Sequence, residues 1–253
     1  MTANPHKKIK EAQPLDIQWE SETEIKDGVS VAPTMVGDSL VLLAAEFRLM
    51  ALRAGDGSVK WKSQPVSSSG PEELDSRAIA VGKEKAYSPH SDRLLAWDLT
   101  DGSRSWEYAS PSDKRLFGGG YYSLGQGYFY ACATGGRLLA IDKRNGTLDW
   151  ERQYEHAPCG ITYDDGELFS AQAWTPEGAE GQSQGGIMKI DATTGDSLWN
   201  FRTPRGGFYR MRPFVEDGVV YAGTDGGENT VFVALDAAKT SSVAADVATK
   251  RVL

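Results

Sequence analysis

The sequence predicts an all-β fold, a β-propeller of four-stranded antiparallel blades, and three observations predict it. A fourteen-residue pattern recurs along the chain, each copy is preceded by two further strand candidates, and turn residues separate those candidates at hairpin spacing. The composition agrees: 28 Gly and 11 Pro supply turns, and 7 Trp, 10 Tyr and 8 Phe suit pleated, half-buried strands.

Four copies align without gaps, RLMALRAGDGSVKW (48–61), RLLAWDLTDGSRSW (93–106), RLLAIDKRNGTLDW (137–150) and GIMKIDATTGDSLW (186–199). Gly57, Gly102, Gly146 and Gly195 stand four residues after the position held by Asp98, Asp142 and Asp191, where the first copy has Arg53. Trp61, Trp106, Trp150 and Trp199 follow four residues later. A fifth copy, VFVALDAAKTSSVA (231–244), keeps Asp236 but has Thr240 for Gly and Ala244 for Trp.

Upstream of each copy, two strand candidates are split by a tight-turn signal: 30–36 and 40–45, 77–81 and 85–88, 121–124 and 128–133, 160–163 and 167–171, 211–215 and 219–223. Each unit is therefore four antiparallel strands. A single such sheet cannot bury both faces, and radial stacking of similar units can. The Trp of each unit is placed to cover the joint with its neighbour.

Trp19 has no strand partner before it, yet the spacings along Trp19, Trp61, Trp106, Trp150 and Trp199 run 42, 45, 44 and 49. It reads as an outer strand, 15–22, that completes the sheet begun by the fifth unit, giving five blades locked by the two chain ends. The competing reading takes 242–247 as that outer strand. The domain limits follow: a tail over 1–13, one propeller over 14–247, and blades at about 29–65, 76–109, 118–154, 159–203 and 208–247.

Composition narrows the function. A formal net charge of −8 disfavours general nucleic-acid binding, and the longest apolar runs, 40–45 and 128–133, are far short of a membrane span. Cys132 and Cys159 form neither a disulfide framework nor a metal motif and read as small buried hydrophobes. Met1 is followed by no apolar signal region, so with Met1 as the native start the expected location is the cytoplasm.

In residues 140–150 and 189–199 the sequence resembles the pyrroloquinoline-quinone-like repeat, Ala-x-Asp-x-x-Thr-Gly-x-x-x-Trp, and the resemblance covers roughly residues 15–244. It implies a propeller, usually of seven or eight blades. Members include quinoprotein alcohol dehydrogenases and the outer-membrane assembly lipoprotein that binds the β-barrel insertase. By this resemblance an extracytoplasmic location follows if a signal has been removed.

The resemblance implies, for a quinone enzyme, adjacent cysteines under the cofactor, a Trp platform and a calcium ion beside a catalytic Asp. This sequence has no adjacent cysteines, and Trp97 and Trp174 alone stand outside the joint positions. No quinone, calcium or other metal is expected. A glycosidase needs carboxylates on the inner strands, and the candidates for those strands carry none; Asp164, Asp165, Glu216 and Asp217 fall at hairpin turns. His90 and His156 read as solvated loop histidines, and Thr224 to Asn229 as a poor cation loop.

What remains is the face carrying the longer loops. Arg205, Tyr209, Arg210 and Arg212, with Lys114 and Arg115 at the matching junction two blades earlier, form a basic and aromatic cluster suited to a carboxylate, phosphate or acidic peptide. Paired with nearby acids, the same residues are only a solvated loop. Trp174 reads as a partner anchor or as a residue tucked under its own insertion. The expected function is a non-catalytic binding or assembly platform with a protein or small anionic partner. The alternative is a quinone- or sugar-active enzyme with an unrecognised site. Replacing Arg205, Arg210 and Arg212 is expected to leave thermal stability nearly unchanged.

Overall fold

A computed structural model describes residues 16–21, 32–45, 48–66, 79–90, 92–111, 115–116, 121–177, 184–203, 206–208, 211–224, 232–238 and 243–244. The strands are β1 (Thr34–Val36), β2 (Leu40–Ala45), β3 (Arg48–Arg53), β4 (Val59–Lys62), β5 (Ala80–Val81), β6 (Lys85–Pro89), β7 (Arg93–Asp98), β8 (Arg104–Ala109), β9 (Tyr122–Leu124) and β10 (Tyr128–Ala133). They continue as β11 (Arg137–Asp142), β12 (Leu148–Gln153), β13 (Pro158–Asp164), β14 (Glu167–Trp174), β15 (Gln184–Asp191), β16 (Ser197–Thr203), β17 (Phe214–Glu216), β18 (Val219–Gly223), β19 (Phe232–Asp236) and β20 (Val243–Ala244).

The first three sheets are antiparallel meanders, β1-β2-β3-β4, β5-β6-β7-β8 and β9-β10-β11-β12. Each has a core on the face it shares with the next. Leu42, Ala44, Leu49 and Ala51 pack on Ala86, Leu95 and Trp97, and Tyr87, Leu94 and Ala96 pack on Tyr122, Phe129 and Ile141. Tyr130, Cys132 and Leu138 pack in turn on Ile161, Leu168 and Ile190, and Phe169, Ala171 and Ile187 on Val220 and Ala222. This is the radial series of β-propeller blades.

The repeated motif closes the outer hairpin of the first four blades with the same Gly turn. At the second, Gly102 N donates to Asp98 O at 2.9 Å, Gly102 takes φ +75°, and Thr100 N donates to Asp98 Oδ1 at 2.7 Å. The third-to-fourth strand register shifts at the same place in four sheets, after Ala51, Ala96, Ala140 and Lys189. That bulge turns the next indole outward onto the neighbouring blade.

The fifth sheet departs from the expected pattern: among the described residues it has three strands, β17-β18-β19. Instead of adding to it, β20 lies parallel to β16, with Phe201 opposite Val243 and Arg202 opposite Ala244, so the fourth sheet has five strands. The reading of 242–247 as the outer strand of the last blade is thereby corrected. The physical reason lies in Thr240 and Ala244: with no Gly, the left-handed turn that returns the chain antiparallel loses its usual residue, and with no Trp the outer strand loses its anchor.

Residues 16–21 form no ladder with β19 among the described residues. Trp19 packs on Leu43, Met50 and Leu52, the face of the first sheet turned away from the second, and its Nε1 donates to the Ala54 carbonyl at 2.8 Å as Trp61 donates to Leu99 of the next blade, which is consistent with the expected closure. The far face of the fifth sheet is open, with Phe214 58% and Phe232 71% exposed.

Candidate functional site

The loops from second to third strands and from blade to blade gather at one end of the sheets, and there the fourth blade brings together Glu155, His156, Trp174 and Arg202. The His156 ring stacks on the Trp174 indole with centroids 3.9 Å apart and planes 4° from parallel. The Arg202 guanidinium lies 5.6 Å from the indole centroid, within cation–π range. Arg202 Nη2 also donates to Glu155 Oε2 at 3.3 Å, and Glu155 Oε1 is 3.8 Å from His156 Nε2.

The backbone beneath this stack is fixed from below. Gln172 Nε2 donates to the His156 carbonyl at 3.0 Å, and Phe208 N donates to the Gln172 carbonyl at 3.3 Å. Burial lowers the pKa of His156, against the pull of Glu155. That shift favours the neutral imidazole, which stacks on the indole as a flat ring.

Trp174 is half-buried, with an imidazole at one contact and a guanidinium at another. Arg202 and His156, which complete the stack, were legible as residue types, but their meeting required strands to bring together positions 28 and 18 residues from Trp174.

The basic cluster expected around the last junction is only partly described. Lys114, Arg205, Tyr209 and Arg210 lie outside the described residues. Arg115 is exposed and its backbone N donates to Thr134 Oγ1 at 3.1 Å. Arg212 is committed structurally: Nε donates to the Ile161 carbonyl at 2.8 Å and Nη2 to the Tyr122 carbonyl at 2.6 Å. Its guanidinium thus ties the segment entering β17 to the inner strands of the third and fourth blades, so its replacement is expected to lower stability.

His90 is likewise not a solvated loop histidine. It is 7% exposed, and burial lowers its pKa to about 4. Ser88 Oγ accepts from Trp97 Nε1 at 2.9 Å and stands 3.3 Å from His90 Nε2. Ser88 is itself only 2% exposed, so the pair braces the core of the second blade rather than facing a substrate.

Cys132 is buried between the third and fourth blades, and no group of three or more His, Cys, Asp or Glu among the described residues could hold a metal ion. The inner strands extend further than expected, to Asp164 and Glu216, but each carboxylate stands at the hairpin end of its strand. The indoles, moreover, are engaged in the joints. Trp19, Trp61, Trp106 and Trp150 donate to Ala54, Leu99, Lys143 and Ala192 carbonyls at 2.8, 3.0, 2.9 and 3.2 Å.

Residues 16–176 and 159–244 match the family model described as outer membrane protein assembly factor BamB. A relative of that name from Nitrosomonas eutropha is 27% identical over 147 residues, 56% of this chain and 32% of its own length. BamB from Moraxella catarrhalis superposes with a TM-score of 0.59 at 16% identity, over 84% of this chain and 62% of that one. The quinohemoprotein alcohol dehydrogenase ADHIIG from Pseudomonas putida HK5 gives 0.63 at 18% identity, over 89% and 42%. This chain thus spans less than two thirds of each of these relatives, and at such identities the two solved structures share its fold. Because the family match runs from the first described residues through β20, over sheets built on the repeated Asp, Gly and Trp, the chain belongs to the BamB family of PQQ-like repeat propellers.

Proposed function

We propose that the protein is a non-catalytic binding platform in outer-membrane protein assembly, working outside the cytoplasm, and that it meets its partner through the long-loop end of the fourth blade. Family membership supports a protein-binding assembly role, and it favours the extracytoplasmic location over the cytoplasmic one expected from Met1. The observation that carries the choice of surface is the Trp174 stack: a half-buried indole, held between His156 and Arg202 at a blade edge, is the kind of rigid aromatic and arginine pair that dominates interface energetics. The partner is a protein with an acidic segment able to draw Arg202 away from Glu155, whose pairing is exposed and weak. No quinone or calcium takes part.

The test is affinity for the soluble domains of the β-barrel insertase, measured by calorimetry with the unaltered protein, Trp174→Ala and Arg202→Ala. Each replacement is expected to weaken binding at least tenfold, about 1.4 kcal/mol, with the melting temperature little changed. Unaltered affinity in both variants, or stoichiometric quinone or calcium in the purified protein, would overturn this reading.

A further inference from the structure

In three sheets, the third-strand residue opposite the joint indole is alanine: Ala51 faces Trp61, Ala96 faces Trp106 and Ala140 faces Trp150. In the fourth sheet that position is Lys189, opposite Trp199, and it is 8% exposed. A buried lysine where three alanines stand needs a partner, and it has two. Nζ donates to the Ala237 carbonyl at 2.8 Å and lies 2.5 Å from Glu167 Oε1.

Ala237 follows Asp236 just as Leu99, Lys143 and Ala192 follow their own aspartates, so its carbonyl is the acceptor an indole takes at the other joints. Here the lysine takes it. Among the described residues Trp199 Nε1 has no hydrogen-bond partner, and the residue is only 7% exposed. Acceptor capacity is not the cause, because Ala192 O accepts from both Tyr130 Oη and Trp150 Nε1.

The blade beyond this joint is also the least covered. Among the described residues it has three strands, it packs through one face, and Phe214, Tyr221 and Phe232 line the other, open face. The chain enters it from β16, past the Arg212 bonds to the Ile161 and Tyr122 carbonyls that fix its entry, and afterwards returns to β16 through β20.

We propose that the fifth blade is a hinged flap, latched by Lys189 and able to swing from the fourth blade as a unit while β16 holds both of its connections. An ammonium regains full hydration when the joint opens, so the latch is more easily released than an indole bond buried among apolar groups. Opening also relieves the unmade bond of Trp199. The acidic side chain that steadies the lysine, Glu167, is 34% exposed, which makes the latch weaken with salt.

Backbone hydrogen exchange of the whole chain tests this. The amides of β18 are expected to exchange together, with protection at least tenfold below those of β10 and β11, and to lose more protection as salt is raised. In Lys189→Ala the β18 amides should become better protected, and the Trp199 indole proton should slow to the rate of Trp150. Equal protection of β18 and β10 in the unaltered protein, or faster β18 exchange in Lys189→Ala, would overturn the proposal. Should Lys189→Ala fail to fold, the exchange pattern of the unaltered protein decides alone.

Discussion

Trp61 and Gly102 are in such close contact that a β-carbon on the glycine would stand 2.4 Å from Cε3 of the indole. The same glycine takes φ +75°, so two independent constraints exclude a side chain there. The pairing is the joint between the first and second blades, seen from the turn rather than from the tryptophan.

Gly102→Ala is accordingly expected to destabilise by about 2–4 kcal/mol, combining a disfavoured backbone angle with overpacking against a ring that cannot move aside. Gly127, where an added β-carbon meets nothing within 4 Å, is the control. Urea unfolding followed by tryptophan fluorescence should move the midpoint for Gly102→Ala and hardly at all for Gly127→Ala.

Trp106→Ala removes a large side chain that is 9% exposed, together with its bond to the Lys143 carbonyl at 2.9 Å. The expected cost is about 3–5 kcal/mol. A melting temperature within a degree or two of the unaltered protein would show that this joint contributes little.

Arg212→Ala should lower stability by roughly 1–3 kcal/mol, since two backbone carbonyls of different blades lose a charged donor. Arg212→Lys should not restore it, because a single ammonium cannot fork between the Ile161 and Tyr122 carbonyls as a guanidinium does. Differential scanning calorimetry of both variants checks this pair of outcomes.

Acid should weaken the fold through His90. In the unfolded chain this imidazole takes up a proton near its ordinary value of 6.5, whereas in the folded chain burial delays protonation to about 4. Between those limits the unfolded state binds more protons. Stability is therefore complete above about pH 6.5, falls by about 3 kcal/mol as the pH drops to about 4, and then levels off for this group. His90→Gln, whose amide does not titrate, should flatten that limb in urea titrations run from pH 7 to pH 4.

The blades were legible because their signals are local. A hairpin needs its turn residues within a few positions of its strands, and the Asp, Gly and Trp spacing repeats that geometry unit by unit. The Trp174 stack was only half legible, because Arg202 reaches it from another strand and His156 from the loop between two blades, and no periodicity marks the meeting. His90 was misread because it stands just past the strand candidate 85–88, while its link to the core, through Ser88 to Trp97 across the hairpin, is set by strand register. Lys189 sat in plain view at a motif position, and its meaning emerged only when its ammonium was found on the carbonyl an indole takes elsewhere.

The parallel pairing of β20 with β16 has a consequence for how the chain is made. When Thr203 leaves the ribosome, the outer edge of the fourth blade has no neighbour, and the residues that will cover it are about 40 positions further on. At roughly 5–20 residues per second, the nascent protein carries that bare edge for several seconds. A chaperone that holds extended polypeptide has its natural opportunity in that interval, and slow codons between the two strands would lengthen it.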